Sequence, residues 1–283
     1  MPQYDSLRKI ANEIRKTILI TANRAGAGHV GGSLSEAEIL TALYFSDKIM
    51  RIDPQNPDWE HRDRFLLSKG HATPGYYATL AHRGYFSVEA LVRTFDEAGS
   101  IFQAHPDMHK CPGVDYSTGS LGQGLSIGIG MAQGARLAAA RSPKREVFNT
   151  WVLIGDGESQ EGQLWEAFMY AGAKKVPRVI AIIDYNGAQL SSKVEDNVNP
   201  APYADKLAAF GWQVLDTDGH DFSRLVPALE QAAALAAEGP VAVVARTVKG
   251  KGVSFMEGDF RWHGQAPDDE QLRRALAELE GRV

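Results

Sequence analysis

Apolar residues recur three and four positions apart at Leu7, Ile10, Ala11, Ile14, Ile18 and Leu19, with Arg8, Lys9, Glu13 and Arg15 between them. That spacing predicts an amphipathic helix. Glycines at 26, 28, 31 and 32 are expected to break it, and Ser33 or Ser35 to cap a second helix near 35–47. Arg64 to Ser68 is short and apolar and reads as a buried strand. Residues 71–83 and 87–95 read as helices. Residues 96–120 mix Gly, Pro and polar residues without a period, which predicts a long loop of the kind that tends to carry function. Helical spacing resumes from Leu121 to about Arg141. Strand and helix then alternate: strand 147–154, helix 159–173, strand 178–184, strand 212–215, helix 222–236, strand 241–247, and a last helix near 268–280. The alternation predicts an α/β fold, a parallel β-sheet with helices on both faces. No repeat or low-complexity linker interrupts it. Residues 185–202 read as a loop excursion, so 1–283 reads as a single domain.

Composition narrows the partners. The chain has 283 residues, 44% hydrophobic and 23% charged, enough to bury a sizeable core. Thirty basic against 35 acidic residues leave a net charge of −5, which argues against nucleic acid. The single cysteine, Cys111, excludes an internal disulfide framework and a multi-thiolate metal site. No apolar run approaches the ~20 residues of a membrane helix. No targeting segment is visible, so a cytoplasmic protein without membrane contact is expected. Glycine stands out: 28 of 283, about 10% against a usual 7% or so.

Some of that glycine misleads. Gly26-Ala-Gly28-His-Val-Gly31 fits the dinucleotide fingerprint G-x-G-x-x-G, with Asp47 downstream. The fingerprint needs a strand before its first glycine, and here a helix comes first. Closer to chemistry is Asp156, between Gly155 and Gly157 where one apolar strand stops. Asn186 stands just past the next apolar strand. One helix lies between them, so both polar side chains fall at the carboxyl edge of one sheet, where open α/β sheets bind ligands. A carboxylate and a carboxamide are hard oxygen ligands that, with phosphate oxygens, suit Mg²⁺. A helix starting near Ser159 is expected to aim its N-terminal dipole at the same place. Asp-Gly and Asn-Gly pairs are also common in plain turns; it is the spacing of the two that favours a site.

Thr118-Gly-Ser-Leu-Gly-Gln-Gly124 opens a helix that holds Gly128, Gly130 and Gly134 inside it. For Gly119 to Gly124 the reading is close approach of a ligand. For Gly130 and Gly134 it is a tightly packed core helix. His29, His71, His105 and His263 each adjoin Gly or Pro, which suggests polar groups converging on a ligand. His61, His82, His109 and His220 lack that company and read as surface or cap residues. A zinc cluster is disfavoured, since no H-x-x-x-H or H-E-x-x-H spacing occurs.

Taken in order, Ala25-Gly-Ala-Gly-His29, Ser68-Lys-Gly-His-Ala72, His105-Pro-Asp107, Thr118–Gly124, Gly155-Asp-Gly-Glu158 with Glu161-Gly162, Asp184-Tyr-Asn186 and Trp262-His-Gly264 resemble the amino-terminal, diphosphate-binding half of transketolases. The resemblance covers nearly the whole chain. It implies thiamine diphosphate and Mg²⁺ (or Ca²⁺ or Mn²⁺ in its place), with Asp156, Asn186 and the carbonyl of Ala188 as metal ligands. It places Gly119, Ser120, Leu121, Gly157 and Glu158 on the cofactor, His71 and His263 by the diphosphate, and His29, His105 and His263 facing the sugar. Glu161 and Glu166 match acidic residues at the interface between two active sites. The implied reaction moves a two-carbon ketol unit from a ketose to an aldose, the chemistry of pentose phosphate metabolism. The cofactor acts as electron sink, and imidazoles donate and accept protons near pH 7.

Two departures shape the expectation. Val30 follows His29 where many single-chain transketolases have proline, and that stretch looks more like deoxyxylulose-phosphate synthase. In the family, a second domain supplies the glutamate and the aromatic side chain that serve the aminopyrimidine ring. About 35 residues follow Val248, too few for that domain, and Glu36 and Glu38 are not taken as its substitutes. The expectation is therefore a split enzyme. A separate pyrimidine-binding chain completes the site, in an α2β2 assembly acting on sugars or sugar phosphates. Three alternatives stay open. One is the α subunit of a 2-oxo-acid dehydrogenase, which lacks Ser-Lys-Gly-His-Ala. Another is a synthase-like relative, and the third is a non-catalytic paralogue that binds a partner.

Overall fold

The computed structural model describes residues 2–142 and 145–281. Five parallel strands form one sheet: β1 Arg64–Leu67, β2 Thr150–Gly155, β3 Val179–Tyr185, β4 Gln213–Asp218 and β5 Val241–Arg246, in the order β1-β2-β3-β5-β4. The three central strands are apolar at nearly every position because both faces are covered. In β2, Trp151 and Leu153 enter one core and Val152 and Ile154 the other. On the first face lie α1 Asp5–Ala25, α2 Val30–Ser35, α3 Ala37–Phe45, α4 Thr73–Arg83 and α5 Val88–Thr94. On the second lie α6 Gly124–Arg141, α7 Gly162–Ala173 and α8 Tyr203–Ala209. Helices α9 Phe222–Leu235 and α10 Asp269–Glu280 return to the first. The parallel α/β fold is as expected. At the edge, β4 is only half covered, consistent with its Gln, Asp and Thr content.

The differences from expectation are local. Helix α1 runs six residues past Leu19, to Ala25, and ends at Gly26, whose left-handed φ of 63° stops the turn. Gly31 and Gly32 do not break a helix; they lie inside the short α2. Neither Ser33 nor Ser35 caps. Both are buried in α2, and Ser35 donates instead to the Asp184 carboxylate across the molecule at 2.6 Å. Residues 147–149 are not strand: side chains take the Asn149 N–H (Asp63) and the Val147 C=O (Arg51), and the Asn149 carbonyl meets the Arg64 N–H at the start of β1. The helix expected from Ser159 is a 3₁₀ turn at Glu158–Gln160, and α7 begins only at Gly162. Helix α8 is an element the periodicity does not show. Within its seven residues only Tyr203 and Leu207 are buried, too few to make a pattern.

Gly130 and Gly134 overturn the core-helix reading. Of the three interior glycines of α6, Gly128 alone packs tightly: a Cβ there would sit 2.6 Å from Val152 Cγ2. At 130 and 134 nothing lies within 4 Å of that position, and both face solvent.

Candidate active site

The strand register decides which residues meet. Gly155 lies beside Asp184, and Asp184 beside Ala245. Asp156, Asn186 and the chain leaving β5 therefore emerge at one carboxyl edge. There they border a cavity of about 280 Å³, lined among others by Lys69, His71, Leu121, Gly157, Ala188, Lys249 and His263.

Asp156 is buried, and its carboxylate accepts from the Gly157 and Gly187 N–H groups at 2.8 and 2.6 Å. Among the described residues no Lys, Arg or His forms an ion pair with it. Burial, with Asp184 nearby, pushes its pKa up to about 7. A buried carboxylate short of a counter-charge is where a cation is best stabilised. Asn186 turns its amide nitrogen to Asp184 at 3.1 Å, and a carboxylate only accepts, so Oδ1 faces the other way, where the Ala188 N–H meets it at 3.1 Å. Among the described residues no three His, Cys, Asp or Glu side chains converge as a metal cage. A cation here would rest on one carboxylate, one carboxamide oxygen, the Ala188 carbonyl and the ligand's own oxygens, a set that suits Mg²⁺.

Two lysines escape the reading of the sequence. Lys249 is buried, and its ammonium donates to the Ala188 carbonyl at 3.0 Å and to His263 Nδ1 at 2.8 Å. One of its three N–H groups remains for an anion in the cavity. Burial lowers its pKa to about 8, with Asp156 opposing and Lys69 adding. Its stem crosses Gly31, where a Cβ would lie 3.0 Å from Lys249 Cγ and 2.8 Å from the Trp262 carbonyl; only a glycine allows that approach. Lys69 is equally buried. It sits 2.6 Å from Asp184 and 2.8 Å from Glu36. Burial raises Glu36 to about 8, whereas Asp184, although burial opposes it, is held below the usual carboxylate range by Lys69. The available signal for Lys249 was Lys249-Gly-Lys-Gly252 just past an apolar strand, the same strand-end glycine setting that marked Asp156.

Three of the four proposed histidines meet. The rings of His29, His71 and His263 stand with centroids 4.8–5.3 Å apart. Burial and neighbouring cations depress all three, His263 to about 3. They are thus neutral at pH 7, each with one donor and one acceptor. Because Lys249 donates to Nδ1 of His263, the proton sits on Nε2. His105 is exposed on the long loop, with its ring over Gly119. Gly119 and Ser120 lie at the rim, outside the residues that line the cavity, whereas Leu121 lines it. Glu158 also borders it, yet its carboxylate already accepts from Ser68, Gly122 and Gly155, so it ties the loop before α6 to the end of β2. Glu161 lines the mouth. Glu166 is exposed on α7, beyond the cavity. His220 is half-buried rather than a free surface residue, and it is hydrogen-bonded to the buried Glu38. Glu36 and Glu38 are held by Lys69 and Arg15, away from the cavity.

A family profile described as transketolase, thiamine diphosphate binding domain, matches residues 6–280. A 6-deoxy-6-sulfo-D-fructose transketolase subunit of Clostridium sp. (strain MSTE9) is 44% identical over 280 residues, covering 98% of each chain. An apulose-4-phosphate transketolase subunit of Phocaeicola vulgatus is 38% identical, over 99% of this chain and 96% of that one. The crystal structure of transketolase from Campylobacter jejuni superimposes with a TM-score of 0.88 at 31% identity, over 97% of this chain but only 42% of that one. This chain thus spans less than half of the crystallised transketolase and nearly all of the two subunit proteins. It belongs to the transketolase family, and residues 6–280 are its thiamine-diphosphate-binding domain.

Proposed function

We propose that this chain, residues 1–283 as one domain, is the diphosphate- and metal-binding subunit of a two-chain transketolase. It transfers a two-carbon ketol unit from a ketose to an aldose together with a separate pyrimidine-binding chain. The observation that carries the reading is the convergence of Asp156, Asn186 and the Ala188 carbonyl with Lys249 around one cavity. In this reading Asp156, Asn186 and Ala188 hold Mg²⁺. Lys249, His71 and His263 face the diphosphate, while Leu121 and Gly157 border the cofactor. Thiamine diphosphate, when bound, supplies the electron sink for breaking a carbon–carbon bond. The neutral rings of His29 and His263, with His105 from the rim, orient sugar hydroxyls and exchange protons with the carbonyl oxygen. The relatives' names favour sugars carrying an anionic end, a sulfonate or a phosphate.

The partner is supported by a surface. Gly130, Gln133, Gly134 and Leu137 share one face of α6, at spacings of three and four. Gln133 bonds the Tyr170 hydroxyl of α7 at 3.1 Å. Leu137, Met169 and Tyr170 are 58%, 53% and 45% exposed, and Glu166 lies on the same exposed side of α7. We assign this face to the partner chain or to a second copy, as in a heterotetramer. Among the described residues no helix is long and apolar enough to cross a membrane, and the cytoplasm is the compartment proposed.

The test is reconstitution. The chain alone, with Mg²⁺ and thiamine diphosphate, should transfer no ketol units, and the partner chain should restore transfer. Asp156→Ala should abolish metal-dependent cofactor binding. Ketol transfer by the lone chain would end the two-chain reading; unchanged binding by the variant would move the metal elsewhere.

A further inference from the structure

Lys249 reaches the cavity because the backbone on either side of it is held from behind. His220 Nε2 accepts the Val248 N–H at 2.8 Å, and Arg15 Nε donates to the Lys251 carbonyl at 2.9 Å. The two side chains are joined through Glu38, which pairs with the Arg15 guanidinium and lies 2.9 Å from His220 Nδ1. The tautomer follows from the bonds. Nε2 accepts a backbone N–H, so it carries no proton; Nδ1 carries it and donates to Glu38. Burial would raise the Glu38 pKa, but Arg15 and His220 hold it at about 2, so it stays ionised.

We propose that the Arg15–Glu38–His220 cluster is a positioning device that sets the Lys249 ammonium against the diphosphate side of the cavity. The inference rests on reading that cavity as a diphosphate site. A buried ion pair is weak evidence for stability, because desolvation consumes most of its attraction. Here its outward hydrogen bonds fall one residue before and two residues after the same lysine. They draw together α1, α3 and the turn after β4, elements that do not otherwise touch the cavity. Arg15 also donates to the Leu34 carbonyl at 3.4 Å, and its stem packs over Gly252. His220 acts through Lys249 and touches no ligand itself.

A double-mutant cycle on the full chain tests this, with Mg²⁺-pyrophosphate as the probe and calorimetric affinity as the readout. Lys249→Met should weaken binding by about 10- to 100-fold, the range of a lost charge-assisted hydrogen bond. His220→Ala should weaken it about 5- to 10-fold, but add almost nothing in the Lys249→Met background. His220→Gln, whose amide keeps one donor and one acceptor, should recover most of the affinity. Glu38→Gln provides a second route if His220→Ala does not fold. An equal loss from His220→Ala in both backgrounds, or a lower melting point with unchanged affinity, would overturn the positioning role. Failure of the unmodified chain to bind Mg²⁺-pyrophosphate would instead remove the cofactor reading on which it rests.

Discussion

Three glycines in one helix give a test of what each position faces. Gly128, Gly130 and Gly134 all lie inside α6, and none has a positive φ. Glycine in a helix interior costs about 0.5–1 kcal/mol relative to alanine. Gly130→Ala and Gly134→Ala meet no atoms within 4 Å, so the pair should stabilise the isolated chain by about 1–2 kcal/mol. In a chain of this size each kcal/mol moves the melting point by about 2–4 °C. Gly128→Ala makes the same helical gain but drives its methyl into Val152 at 2.6 Å. Overpacking costs about 1–3 kcal/mol, so the net effect is destabilising by up to about 2 kcal/mol. Scanning calorimetry of the isolated chain measures both. Titration with the partner chain then reads the other half, because the two methyls that help the free helix should weaken assembly if that face is an interface. A drop in melting point for the 130/134 pair would refute the exposure argument. A rise with unweakened assembly would refute the interface.

Two further perturbations follow from the buried charges. Lys69→Met leaves Asp184 without its cation and should cost about 3–5 kcal/mol in urea unfolding; a loss below about 1 kcal/mol would mean Asp184 finds another counter-charge. The pH dependence has a defined sign. Folded His263 titrates near 3 against 6.5 for the free side chain, so between those values the unfolded chain binds a proton the folded one refuses, and stability falls as pH drops. Asp156 works the other way between 3.8 and about 7. Burial depresses His29 and His71 in the same sense, so His263→Gln should lessen rather than abolish the loss of melting point from pH 7 to 5, and identical slopes in both proteins would contradict the assignment.

Much of this architecture is legible along the chain. The central strands are apolar runs bounded by turn residues, because a parallel sheet covered on both faces repeats the same demand at every position. The Asp156–Asn186 pair is legible for a related reason: consecutive parallel strands joined by one helix must end at the same edge, so their spacing places them without coordinates. The glycine-flanked histidines read as a group, and for His29, His71 and His263 the rings do meet.

What stays hidden depends on distance in sequence and on the direction of side chains. Lys249 looks like one more loop lysine until β5 is seated beside β3 and its stem crosses Gly31. His220 lacks any local mark, since its partners Glu38 and Val248 are remote from it along the chain. Gly130 and Gly134 show the limit most plainly. A glycine in a helix signals that something comes close, or that nothing does, and the spacing along the chain is the same in both cases. Local periodicity determines which elements form and which edge they share. Only the packing of those elements decides which side chains are desolvated together, and desolvation is the largest cause of the pKa shifts of Lys249, Asp156 and the three histidines.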